Sequence, residues 1–288
     1  MHGAKTLIFL AAAIASAADF SGASALEFTR KAVSFGPRPA GSEANKRLQA
    51  YIRAQLRTFG AEVMDDSFTA HTPNGPIAMT NILGRFKGSS GRAVAFSGHF
   101  DSKQMPGFVG ANDGGSSTGL LLELARVLAG RPRKDDVYVI FFDAEEAFGP
   151  WSDVDGVYGS RHLADKWAAD GTLKRLKALI NVDMIGDKDL GIALELNSSA
   201  WLRMLVWDVA AGLGYRSHFL TAGSVIEDDH MPFIRRGAQA LDLIDFDYGP
   251  HNEFWHTPQD TMDKLSPASL QVVGRVLVET LKRLEQKP

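Results

Sequence analysis

Apolar positions along this chain recur at two periods, and the switches between them lay out its elements. Leu48, Ile52, Leu56 and Phe59 follow helical spacing in a segment that Ser42 can cap and Gly60 can end. A turn at 72–76, TPNGP, precedes two stretches that read as strands, 81–86 and 92–97, the second running out at Gly98 and His99. After a glycine-rich loop, 116–128 is a helix with Leu120, Leu121, Leu124, Val127 and Leu128 facing inward. The run VYVIFFDAEE, 137–146, is rich in strand formers and too short for a membrane span, so it predicts a buried central strand. Further strands are expected at 178–182 and 240–244, and a helix at 201–211. Ser266 and Pro267 open a last helix whose apolar face carries Leu270, Val273, Leu277, Leu281 and Leu284. Strands alternating with helices imply an α/β fold, a single domain with a central mixed, largely parallel β-sheet flanked by helices on both faces.

The amino terminus does not belong to that pattern. Lys5, an apolar stretch over 7–15 and small residues at Ala15 and Ala17 predict a secretory signal peptide over 1–18, leaving 19–288 as one catalytic domain, secreted or periplasmic. A buried amino-terminal helix fits less well, because small residues rather than a polar face follow the apolar run. That run falls short of the ~20 residues a span requires, so no stable membrane association is expected after signal removal. An apolar content of 45% sustains a core, and a net charge of -3 without a basic block argues against nucleic acid as a partner. A monomer is expected. The chain has no cysteine, so no disulfide can help hold an exported fold, and any zinc must bind through histidine and carboxylate.

Chemistry gathers where the strands end. Asp143, Glu145 and Glu146 follow the central strand and cannot be buried as bare charges. His99 ends one strand, Asp113 lies in the next loop, Asp183 ends another strand, and His256 comes late in FWHTPQD. Singly, such residues often cap turns. Together at the carboxyl ends of one sheet, where ligands bind in open α/β folds, they predict a catalytic Zn²⁺ that keeps an open position.

These residues also carry a resemblance. HFDSK from His99, NDGGSSTG from Asn112, FFDAEEAF from Phe141, NVDMIG from Asn181 and WHT at Trp255 together resemble the zinc aminopeptidase superfamily and, within it, the glutaminyl-peptide cyclotransferases of the animal type. EEAFGPWS with Trp151, EDDH at 227–230 and Trp255 beside His256 favour the cyclase branch. The resemblance implies a zinc aminopeptidase-like fold, with zinc held by Asp113, Glu146 and His256, most simply one ion, and with His99 and Asp183 as candidates for a second. It implies catalytic roles for Glu145 as proton shuttle and for Asp183 and Asp228 as a carboxylate network. Trp151, Trp255, Glu227 and Tyr248 would meet the substrate.

The implied reaction converts the amino-terminal glutamine of peptides or proteins to pyroglutamate with release of ammonia. Its attack is intramolecular, so fixing the folded conformer is the main task. Zinc can polarise the γ-carbonyl, Glu145 can carry the proton, and a tryptophan-lined pocket that excludes water works against hydrolysis. Some features depart from the animal pattern. The cysteine pair of many animal members is missing, the loop 245–254 bearing Tyr248 is longer, and Glu227 stands where glutamine is common. Glu227 either attracts the substrate amine or is a solvated acid at a helix start.

Two other functions compete. A di-zinc aminopeptidase would use Asp113 to bridge Glu146 and His256 to His99 and Asp183, with Glu145 activating water. A non-catalytic binding module should lack ligands or the base, and none is lacking. His230 is expected to orient a carboxylate and Lys103 to form a structural ion pair. His2, His71, His162, His218 and His251 are given no catalytic role.

Overall fold

The computed structural model describes residues 19–287, so the expected signal peptide over 1–18 lies outside the described residues. Two helices, α1 (Gly22–Val33) and α2 (Glu43–Thr58), lead into a hairpin of β1 (Glu62–Thr72) and β2 (Gly75–Phe86). Then come β3 (Ala93–His99), α3 (Gly115–Leu128), β4 (Asp136–Phe142), α4 (Tyr158–Asp170) and β5 (Leu176–Asp183). A small excursion, β6 (Ile192–Glu195), α5 (Ala200–Gly212) and β7 (Phe219–Ser224), precedes α6 (Met231–Ile234), β8 (Ala240–Ile244) and the long α7 (Pro267–Gln286).

The main sheet has the order β1-β2-β4-β3-β5-β8. Its first two pairings are antiparallel and the other three parallel, which is the mixed, largely parallel sheet expected. Side chains along β3 and β4 alternate between two cores, as the strand period of two requires. Val94, Phe96, Val137, Val139 and Phe141 pack on the side of α2, α3, α5 and α7. Ala93, Ala95, Tyr138, Ile140 and Phe142 pack with Leu163 and Trp167 of α4 and Phe233 of α6. Every residue of β4 is buried, so this strand is the spine of the sheet. Among the described residues, no helix is long and apolar enough to cross a membrane.

The strands and helices predicted from apolar spacing are present, and α1, β1, α4, α6 and the short strands β6 and β7 are additional. β1 carried no apolar signal because it is an edge strand whose one fully buried side chain is a carboxylate, Asp66. Asp66 accepts from His162 Nδ1 at 2.9 Å, Lys166 Nζ at 2.8 Å and Asn81 Nδ2 at 3.0 Å, tying α4 to the hairpin. β2 starts earlier than 81 because Thr72 already pairs with Gly75 across the turn.

Candidate metal centre and active site

Parallel pairing brings the carboxyl ends of β3, β4, β5 and β8 to one side of the sheet. His99 is the last residue of β3, Asp183 the last of β5, and Glu145 and Glu146 follow β4 by a few residues. Asp113 arrives on the loop before α3, and Gly114 makes that approach possible. Its φ is +77°, and a Cβ there would stand 2.4 Å from the Asp101 carbonyl and about 3 Å from the His99 ring. Three other turns at the site use left-handed backbone without glycine: Ala144 (φ +58°) between Asp143 and Glu145, Met184 (φ +49°) after Asp183, and His256 itself (φ +51°). Such conformations cost on the order of 1–3 kcal/mol each and cluster where function demands a sharp turn.

Two triads result, and they share Asp113. Asp113 Oδ1 lies 3.2 Å from His99 Nε2, which is also 3.1 Å from Asp183 Oδ1. Asp113 Oδ2 lies 3.2 Å from His256 Nε2, which is 3.3 Å from Glu146 Oε1. Donors about 2.0–2.1 Å from a tetrahedral Zn²⁺ stand roughly 3.3 Å from one another, so these separations fit the edges of such a site. Glu146 Oε1 is buried and, despite its distance to His256, makes no hydrogen bond. A buried, unpartnered carboxylate oxygen beside a nitrogen donor suits a bound cation.

The supporting groups were mostly not singled out from the sequence. Asp101 faces His99 Nδ1 at 3.3 Å and accepts the backbone N–H of Glu145 at 3.1 Å and of Glu146 at 3.4 Å. Asp260 accepts from the backbone of Asn112 at 2.8 Å and of Asp113 at 3.1 Å. Asn181 donates to Asp228 Oδ2 at 3.1 Å and Asp242 Oδ1 at 3.2 Å, and accepts from Ser97 Oγ. The only signal for these residues is that Asp101, Asn181 and Asp260 stand inside or beside the motifs HFDSK, NVDMIG and FWHTPQD. His230 pairs with a carboxylate as expected. It is Glu195, at 3.1 Å, which also accepts the Ile226 N–H and so holds the segment leading to Asp228. Lys103 forms its expected ion pair with Glu146 Oε2 at 3.3 Å, which places a cation directly against the centre.

A cavity of about 480 Å³ opens over the second triad, walled by Trp151, Ile226, Phe246 and Trp255 and reached by Glu145 and Asp228. Glu227 stands at its rim in a 2.6 Å ion pair with Arg235, so its charge is already matched. Tyr248 does not line the cavity. It is fully buried, its ring packed with Met184 and Ile244, because a buried phenol needs a hydrogen-bond partner and finds one behind the wall in Asp260. Phe246 takes the wall position instead, its ring centroid 4.9 Å from that of Trp255.

Electrostatics follow from crowding. Burial, opposed by His99 but reinforced by Glu146, Asp228 and Asp229, pushes Glu145 well above the usual carboxyl range. Burial likewise lifts Asp183 to about 7, with Asp228 and Asp113 adding to it against His99. Burial works against a charge on His256, yet Asp113 and Glu146 outweigh it and raise the imidazole to about 9. Carboxylates packed this densely call for cationic partners.

Comparison with known proteins places this geometry. Residues 81–281 match peptidase family M28. A glutaminyl-peptide cyclotransferase of Drosophila melanogaster is 33% identical over 269 residues, spanning 84% of this chain and 75% of the relative. Among solved structures, an Acidobacteriales bacterium glutaminyl cyclase superposes with a TM-score of 0.90 at 38% identity, over 98% of this chain and 100% of that one. A Zn-dependent exopeptidase from Parabacteroides distasonis superposes with a TM-score of 0.83 at 27% identity, over 94% and 100% of the two chains. One fold thus carries both names, and the residues around the cavity must separate them. By sequence and by fold, the chain belongs to peptidase family M28 and, within it, to the glutaminyl-peptide cyclotransferases.

Proposed function

We propose that this protein is a zinc-dependent glutaminyl-peptide cyclotransferase, converting the amino-terminal glutamine of peptides or proteins to pyroglutamate with release of ammonia. The observation that carries the reading is a buried carboxyl, Glu145, reaching an aromatic-walled cavity beside the triad of Asp113, Glu146 and His256. Asp113, Glu146 and His256 would hold the zinc, which when bound would supply a Lewis acid for carbonyl chemistry. Trp151, Phe246 and Trp255 hold the glutaminyl residue folded, so that its α-amine meets its own side-chain carbonyl, and they exclude water. As the N–C bond forms, Glu145 takes a proton from the amine. As the amide C–N bond breaks, Glu145 returns that proton to the departing ammonia. Asp228 adds negative charge beside Glu145, which favours its protonated form during the transfer, and Asp183, itself raised by Asp228, extends that carboxylate network. The pairing of Glu227 with Arg235 already balances that carboxylate, in keeping with substrates recognised by their first residue.

The signal read over 1–18 supports export to a secreted or periplasmic location, with 19–288 acting as a monomeric catalytic domain. A second reading, a di-metal aminopeptidase, is favoured by one observation: the donors of His99, Asp113 and Asp183 are intact. Mass spectrometry of a Gln-initiated and a Leu-initiated peptide, each incubated with zinc-loaded protein, separates the two. Loss of one ammonia from the first with the second intact supports the cyclase. Release of free leucine without ammonia loss makes it a peptidase.

A further inference from the structure

Arg38 has no exposed surface, and its guanidinium turns to backbone carbonyls. Nε donates to Phe100 O at 2.7 Å, Nη1 to Val109 O, and Nη2 to Gly110 O at 2.7 Å and to Asp113 O at the outer limit of 3.5 Å. Its own backbone N–H donates to Ser102 Oγ at 2.9 Å. All of these partners lie on the loop that leaves β3 after His99 and returns to deliver Asp113, the residue shared by both triads. Asp260 grips the other face of the same stretch through the N–H groups of Asn112 and Asp113. Carbonyls are thus held from one side and amides from the other.

We propose that Arg38 is a positioning residue that forms this loop before any metal arrives and thereby sets the metal affinity of the centre. The inference rests on the zinc reading above. Two effects of opposite sign meet at this side chain. A buried cation near Asp113 and Glu146 repels an incoming Zn²⁺, so on charge alone its removal would tighten binding. A long irregular loop that is not ordered in advance must be ordered by the metal, which weakens binding. Four side-chain contacts to one loop, reaching as far as Asp113 itself, make ordering the larger effect.

Arg38→Lys separates the two, because it keeps the charge and loses the fork that reaches several carbonyls at once. Zn²⁺ affinity measured by competition with a chromophoric chelator is expected to fall roughly 10- to 100-fold, the range seen when groups that orient metal ligands are removed. The rise in melting temperature on Zn²⁺ saturation should shrink in step, whereas a purely structural role would lower the melting temperature of metal-free and metal-loaded protein alike. An affinity equal to or above that of the unaltered protein overturns the proposal. Should the variant not fold, hydrogen exchange on the unaltered protein still decides. Amides over 102–113 must be protected without Zn²⁺ and change little on its addition, and free exchange that slows only with Zn²⁺ overturns the proposal. Neither the chelator competition nor the hydrogen exchange depends on turnover. Failure to cyclise a Gln-initiated peptide would therefore count against the proposed activity and leave this result standing.

Discussion

The Tyr248 hydroxyl donates to Asp260 Oδ1 at 2.8 Å, so an aromatic residue placed by its loop near the substrate works on the far side of the wall, on the carboxylate that holds Asp113. Its neighbour Phe246, two residues away, lines the cavity. The two positions should separate cleanly. Tyr248→Phe removes a buried hydrogen bond to a carboxylate and should cost about 1–3 kcal/mol of stability with KM for a Gln-initiated peptide unchanged. Phe246→Ala should raise KM several-fold and leave the urea midpoint nearly where it was. The reverse pattern would return Tyr248 to the pocket.

Glu145 belongs to neither metal triad, although it is next in sequence to Glu146. Glu145→Gln keeps shape and removes proton transfer, so kcat should fall by roughly 10²–10⁴-fold. Bound zinc, measured by atomic absorption, should be unchanged. Undiminished turnover would remove Glu145 from the mechanism, and loss of zinc would reassign it as a ligand.

Asp113 and His256 lie in loops and were read from their motifs, but the rest of the candidate site follows buried apolar runs whose ends parallel pairing brings together. His99, Asp183, Glu145 and Glu146 need no more than that. Their supports were not legible. Asp260 reaches Asp113 across 147 positions and Arg38 reaches it across 75, and periodicity says nothing about such contacts. The same limit explains Tyr248 and Phe246, which sit in an irregular loop with no repeat to assign a facing. β1 was missed for the opposite reason, since its one fully buried side chain is polar.

Asp245, buried beneath the cavity wall at Phe246, gives a test by pH. Burial, opposed by the Gly191 N–H and reinforced by Asp187, lifts its carboxyl to about 7. The folded state therefore holds this proton more tightly than the unfolded chain does. The associated stability is complete below the unfolded value near 4 and is lost as pH rises through about 7. Asp245→Asn removes the loss, so its advantage over the unaltered protein should grow from pH 5 to pH 8, reaching on the order of 1–4 kcal/mol. Urea denaturation of both proteins at each pH cancels the groups they share, and an advantage that shrinks with pH contradicts the assignment.

The number of metal ions divides the two enzymatic readings, and the triads are not equivalent. In the inner one, Asp183 Oδ1 already accepts the Met184 N–H at 2.8 Å and lies 3.1 Å from His99 Nε2, while Asp101 faces the other ring nitrogen. Carboxylates on both sides of one imidazole satisfy that cluster through hydrogen bonds. In the outer triad, Glu146 Oε1 has no hydrogen-bond partner, and His256 is partly exposed toward the cavity. The outer triad therefore gains more from a cation, and one zinc per chain is expected after exhaustive dialysis. His256→Ala should lose that zinc and the activity together, as should treatment of the unaltered protein with a strong chelator. His99→Gln should retain it, because the amide can still donate to Asp113 and Asp183. Two zincs per chain, with one lost in His99→Gln, would mean that the inner cluster binds metal despite its hydrogen bonds and would shift the balance to the aminopeptidase.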